Sequence, residues 1–169
     1  MITLAKERNI DLSNGKLQKL LFLAHAIFLV TKGRPLVHSS FEAWQYGPVS
    51  REAYDAFKSF GAGPITGYAK KRNPATGAEA EIAAPDDLEV SDVVARVVGH
   101  YGPWAFSRLV DLTHAKNGPW DFVVKSAKSN ANLGLRISDE IVRERYKFLW
   151  KVIDQEKNFD WTEENRPFA

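Results

Sequence analysis

Residues 17–30, LQKLLFLAHAIFLV, constrain the fold more than any other part of the chain. Leu17, Leu20, Leu21, Ala24 and Phe28 recur at helical spacing. Phe22, Leu23, Ala26, Ile27, Leu29 and Val30 fill the remaining faces. A helix that is apolar nearly all round needs other elements on most of its sides, so a helix over about 14–31 is expected at the centre of the molecule. Asp11 or Ser13 is placed to cap its start, and Gly33 followed by Pro35 supplies the stop. The run contains Gln18, Lys19 and His25 and falls short of the ~20 residues needed to cross a bilayer. His25 has two readings: a core histidine with a hydrogen-bond partner, or a ligand or general base.

The second constraint is FEAWQYGPVS at 41–50. Phe41, Trp44 and Tyr46 supply large rings just before Gly47-Pro48. Proline fixes its own φ and restricts the residue before it, while glycine tolerates backbone angles that other residues avoid. The stretch reads either as a core-and-turn element docking one helix on another, or as a turn presenting Trp44 or Tyr46 for recognition. Ser50 is positioned to cap a helix to about Phe60, with Val49 and Tyr54 at the spacing of a hydrophobic staple. Gly61 ends it.

Residues 61–85 are rich in Gly, Pro and Ala and read as a small β-hairpin at about 64–84, turning at Asn73–Gly77. Lys70, Lys71 and Arg72 are then a solvated basic tip or a contact for an acidic partner. Residues 87–101 carry a helical stripe of Val93, Val94, Val97, Val98 and Tyr101, with Ser91 as one candidate cap. After Gly102-Pro103, a short helix is expected with Trp104, Leu109 and Leu112 inward. Asn117-Gly118-Pro119-Trp120 opens another, with Pro near its first position. Leu133–Ile137 suits a short strand. Ser138 caps a last helix whose inward face is read as Ile141, Phe148, Leu149, Val152 and Ile153. Phe159 and Trp161 are candidates for docking the tail.

The expected architecture is mainly α, one compact domain of about six helices with a small β element. Residues 1–13 form a lead-in, 14–155 the domain and 156–169 a tail. With 169 residues, 44% of them hydrophobic, a chain of this kind can bury a core without staples. It has no Cys, which removes disulfides, thiol nucleophiles and Cys-containing zinc sites and suits a cytoplasmic location. The net charge is +2, and the two halves differ little, with 11 Lys/Arg against 7 Asp/Glu in 1–85 and 12 against 14 in 86–169. That is weaker than the basic stripe of a nucleic-acid binder. No phosphate-cradling loop, HExxH pair or GxSxG elbow occurs. No metal, cofactor or catalytic set is expected. One constellation offers an enzymatic alternative. Asp111 and His114 lie at i, i+3, where a carboxylate can raise the basicity of a histidine for hydrolysis. The same pair also reads as a structural network at a helix end.

Four segments occur in a recognisable order: KLQKLLFLAH at 16–25, FEAWQYGPVSREAY at 41–54, GAGPI at 61–65 and LTHAKNGPW at 112–120. Together they resemble the Panacea domain, the SocA-like or phage-associated GepA-like family. The motif residues matched are Leu17, Gln18, Lys19, Leu20, His25, Trp44, Tyr46, Gly47, Pro48, Val49, Tyr54, Thr113, His114 and Trp120. The resemblance implies a mainly helical antitoxin that neutralises a cognate toxin by direct protein–protein contact; the short apolar run adds the expectation of no membrane partner. Its alternative is an adaptor that hands the toxin to a cellular protease. Motif residues shared across such a family suit a common scaffold better than a contact surface that changes with the toxin.

Overall fold

The computed structural model describes residues 1–127 and 135–155, with side chains up to Leu149. Helix α1 (Ile2–Glu7) leads to the long α2 (Asn14–Lys32). Strands β1 (Phe41–Trp44) and β2 (Gly47–Ser50) follow, then α3 (Arg51–Phe57) and a 3-10 turn at Lys58–Phe60. A second hairpin, β3 (Lys70–Arg72) and β4 (Glu79–Glu81), precedes α4 (Leu88–Tyr101), α5 (Phe106–Thr113) and α6 (Pro119–Ser126). Strand β5 (Arg136–Ile137) and α7 (Asp139–Gln155) complete the described chain. The molecule is mainly helical, with a short β element.

Helix α2 is the hub expected from its composition, touching α3, α4, α5, α7 and β2. Leu20, Phe22, Leu23, Ala24, Ala26, Phe28 and Leu29 are all fully buried. Each large side chain among them contributes roughly 1.5–3 kcal/mol by leaving water. Ser13, rather than Asp11, caps the helix, accepting a hydrogen bond from Lys16 N at 3.3 Å. Gly33 ends it at φ +70°, the left-handed geometry that a side chain disfavours.

Four features differ from the sequence expectations. First, the stretch read as a turn is a sheet. Trp44 pairs with Gly47 and Phe41 with Ser50, so Gln45-Tyr46 make the turn and Gly47-Pro48 lie in β2. On the other side β1 pairs with β5, Phe41 opposite Ile137, in the order β2-β1-β5. Strand β2 is an edge, the sheet position that tolerates a proline without an N–H. Second, the lead-in carries α1 and buries Ala5 and Leu12. Third, Asp87 caps α4 instead of Ser91, accepting from Glu89 N and Val90 N at 3.0 and 3.1 Å. Fourth, Val142 and Tyr146 join Leu149 on the buried face of α7, whereas Ile141 is only half-buried. Leu133, the side chains of Lys151, Val152 and Ile153, and the tail from 156 lie outside the described residues.

His25 is a tie between helices. Its Nδ1 accepts from Val37 N at 3.2 Å, and its Nε2 faces Asp139 Oδ1 of α7 at 3.3 Å. The ring also lies 5.2 Å from the Phe41 ring. Burial, the dominant cause, holds its pKa below the ordinary value against the opposing pull of Asp139, and nearby Arg143 adds to the lowering. Arg143 donates to Leu29 O at 3.2 Å and Gly33 O at 2.9 Å, satisfying carbonyls at the end of α2. Asp139→Ala leaves the buried Nε2 without the carboxylate it faces and is expected to lower stability by about 1–3 kcal/mol. Urea unfolding checks this; an unchanged midpoint would mean that packing alone holds the imidazole.

Candidate functional site

The polar residues of α2 explain how the first hairpin is held. Asn14, Gln18 and Lys19 are 3%, 1% and 2% exposed, and each serves backbone groups beside it. Gln18 Oε1 accepts from Ser50 N at 2.9 Å, and Lys19 Nζ donates to Pro48 O at 3.0 Å. Residues 48 and 50 present their backbone groups to the same side of the strand, here the edge that no other strand covers. Gln18 and Lys19 therefore do for β2 what a neighbouring strand would do, because buried backbone groups must find partners. Gln18 Nε2 in turn donates to Asn14 Oδ1, and Asn14 Nδ2 donates to Tyr54 O, both at 3.0 Å.

The second half of the chain closes on the same hairpin. The Trp120 indole donates to Trp44 O at 2.9 Å. Its ring stacks on His114, with centroids 3.6 Å apart and planes 7° from parallel. Thr113 Oγ1 donates to Val110 O and lies so near Gly47 that a Cβ there would come within 2.9 Å of it. Gly47 has φ +103°. Trp44 packs on Tyr54 at 4.8 Å and donates through Nε1 to Glu42 at 2.7 Å. Arg51 forks onto Glu42 at 3.0 and 3.1 Å. Arg51, then the Trp44 indole, keep the Glu42 carboxyl below its ordinary pKa.

The structure thus gathers Trp44, Tyr46, Gly47, Pro48, Thr113, His114 and Trp120 around one hairpin, with Lys19 beneath it. His25 lies apart, in its own contact with Asp139. Lys70, Lys71 and Arg72 are exposed on β3, with Lys70 3.7 Å from Glu79 across the strand pair. They do not line the pocket described next.

That pocket, of about 420 Å³, opens beside the hairpin. Its walls are mostly apolar and come from Gly15, Gln18 and Lys19 of α2, Trp44, Gln45 and Tyr46, then Val49, Tyr54 and Phe106. Tyr46 stands 62% exposed at the tip of the turn. Gly15 lets the Phe106 ring approach α2, since a Cβ there would meet the ring at 2.9 Å. Reading the sequence for motifs missed Gln45 and Phe106 as pocket walls. The available signal was Lys19, a cation near the start of a largely apolar run.

The Asp111–His114 pairing did not form. Asp111 is exposed, and no hydrogen bond or ion pair joins it to His114 among the described residues. Burial first, then the charge of Lys19, lowers the His114 pKa; Asp111 and Asp121 oppose without prevailing. The imidazole is therefore made less basic, whereas the spacing of Asp111 and His114 suggests a carboxylate raising its basicity. Among the described residues no group of three or more His, Asp or Glu side chains is placed to hold a metal ion. No helix among them is long and apolar enough to cross a membrane.

Comparison with known proteins shows the family. Residues 17–121 match the family described as Antitoxin SocA-like, Panacea domain. That span begins in α2 and ends at the start of α6, and it includes Gln18, Lys19, the β1–β2 hairpin, Thr113, His114 and Trp120. The chain is 40% identical over 140 residues to Antitoxin SocA of Caulobacter vibrioides, covering 83% of this chain and 74% of that protein. No solved structure matches. The match over residues 17–121 and the 40% identity across most of the chain lead to one conclusion: the chain belongs to the SocA-like Panacea antitoxin family.

Proposed function

We propose that this protein is an antitoxin that neutralises a cognate toxin by direct protein–protein contact. The similarity to an antitoxin over 83% of the chain carries the reading. The structure supports it with a rigid scaffold and an exposed aromatic tip. Interfaces draw most of their energy from a few aromatic and Arg side chains seated in desolvated pockets. Tyr46 at the turn, with the pocket wall of Trp44, Tyr54 and Phe106 behind it, has that character. Shape and burial are what such a role asks of this surface; it calls for no bond-breaking chemistry.

The test is co-expression with the product of the neighbouring gene. That product should arrest growth alone, and this chain should restore growth and co-purify with it. A neighbour that is harmless alone, or that stays toxic beside this chain, overturns the reading. Toxin half-life in the same cells separates two modes. Blocking by contact leaves it unchanged, whereas delivery to a protease shortens it.

A further inference from the structure

Lys19 is a buried amine with no counter-charge among the described residues. It is 2% exposed, its Nζ donates to Pro48 O, and no carboxylate pairs with it among the described residues. An ammonium carries three N–H donors, and this one uses a single one within the described residues. Buried charges are ordinarily paired, because burying an ion without a partner is costly. Burial pushes the Lys19 pKa down to about 7, so near neutral pH the folded protein carries it in both forms. Lys19 also lines the 420 Å³ pocket, where it is the one Lys, Arg, Asp or Glu side chain among nine lining residues.

We propose that this pocket receives an acidic side chain of the partner toxin together with an adjoining large apolar side chain, the carboxylate pairing with Lys19. The inference rests on the antitoxin reading and specifies its contact. Charge complementarity selects the carboxylate, and the Trp44, Tyr54 and Phe106 walls select the apolar neighbour. A volume of 420 Å³ holds two such side chains. The incoming carboxylate offsets the cost of burying the ammonium, which an uncharged or basic occupant does not.

A matched pair of small molecules isolates the charge. Indole-3-acetate and indole-3-acetamide share a ring and differ in the carboxylate. Titrated into the labelled full chain, the acid should shift the amide signals of Gln45, Tyr46 and Gly47 and bind about tenfold tighter than the amide, the size of one modest charge pairing. Lys19→Met should erase that preference. Because this variant also removes the donor to Pro48 O, Gln45→Glu serves beside it. Gln45 is exposed on the turn, so the fold should survive while the introduced carboxylate competes for Lys19. Both variants should then weaken toxin neutralisation about tenfold or more in a dose titration. Equal binding of acid and amide, or no shift at the hairpin, overturns the proposal. So does full neutralisation by Gln45→Glu while the wild-type chain neutralises. If the wild-type chain itself fails to neutralise, the antitoxin reading has failed instead.

Discussion

Replacing Gly47 by alanine is expected to destabilise the protein by roughly 2–6 kcal/mol, which combines the cost of a strained backbone residue with that of overpacking. Two independent causes act at this position. The backbone sits at φ +103°, outside the range that L residues with a Cβ adopt readily. The added carbon would also lie 2.9 Å from Thr113 Oγ1 and 3.1 Å from both Cε and Nζ of Lys19. Neither neighbour moves freely. Thr113 is 1% exposed and bonded to Val110 O, while Lys19 is bonded to Pro48 O. Relief of the clash must break one of these contacts or move β2 away from α2. For a chain of this size about 1 kcal/mol corresponds to ~2–4 °C in Tm. Thermal unfolding should therefore show a drop on the order of 10 °C or more. Gly33→Ala is the control. It has φ +70° but nothing within 4 Å of the added Cβ, so it carries the backbone cost alone. Equal losses at both glycines would remove close packing as the cause at Gly47.

The second large effect is a dependence of stability on pH that originates at Lys19. In the unfolded chain its amine has an ordinary value near 10.5, and in the fold burial brings it to about 7. Between those two values the unfolded state holds a proton that the folded state has released. Stability therefore rises with pH across that window, and the gain is lost as pH falls back through 7. Full protonation difference corresponds to about 1.4 kcal/mol per pH unit. Between pH 7 and 9 the wild-type chain should gain on the order of 2 kcal/mol relative to Lys19→Met. Urea titrations of both proteins at several pH values give the difference curve. Groups unaffected by the substitution, such as the buried N-terminus of Met1, contribute equally to both proteins and cancel. Parallel curves for the two proteins would show that Lys19 is not desolvated as the structure has it. The variant's absolute stability carries a second effect, because Pro48 O loses its donor at a cost of about 1–3 kcal/mol. The slope, and not the offset, is the signature of the buried amine.

These effects share a cause. An edge strand leaves one row of backbone groups without partners, and natural sheets must cover or blunt that edge. Here the cover is made by side chains of a helix. Gln18 serves Ser50 N and Lys19 serves Pro48 O, so two polar residues are buried near the start of the apolar central helix. Their burial is stable because each meets a backbone group and would be costly if it did not. The same device explains why Gly47 is needed. A strand clamped this closely to α2 and α5 leaves no room for a Cβ.

Much of the helical framework follows from local rules. The apolar run at 17–30 required a central helix, Ser50 capped α3 with a bond from Ala53 N at 3.4 Å, and Pro119 opened α6 at its first turn. The stripe on α4 is buried as its spacing demands, with Val93, Val97, Val98 and Tyr101 at 3% exposure or less. Local periodicity is sufficient for these because a helix closes its own hydrogen bonds and asks only for a covered apolar face. Ordered motif segments along one chain were likewise enough to indicate the family.

What local rules left open depends on residues far apart in sequence. FEAWQYGPVS contains no alternation that distinguishes a docking turn from a hairpin. Its strand character comes from β5, about ninety residues later, and from the side chains of α2. Asp111 and His114 have the spacing to meet, but Trp120 takes the imidazole face and leaves the carboxylate in solvent. A residue spacing specifies which contacts are possible on one helix. Which of them forms is decided by competition among surfaces brought in by the rest of the fold, and stacking on a large ring prevails over an exposed carboxylate screened by water. Lys19 shows the same division. Its sequence position marks it as an anomaly in an apolar helix, whereas its meaning, a strand clip and a buried amine beside a pocket, exists only once β2, α3 and Phe106 have closed around it.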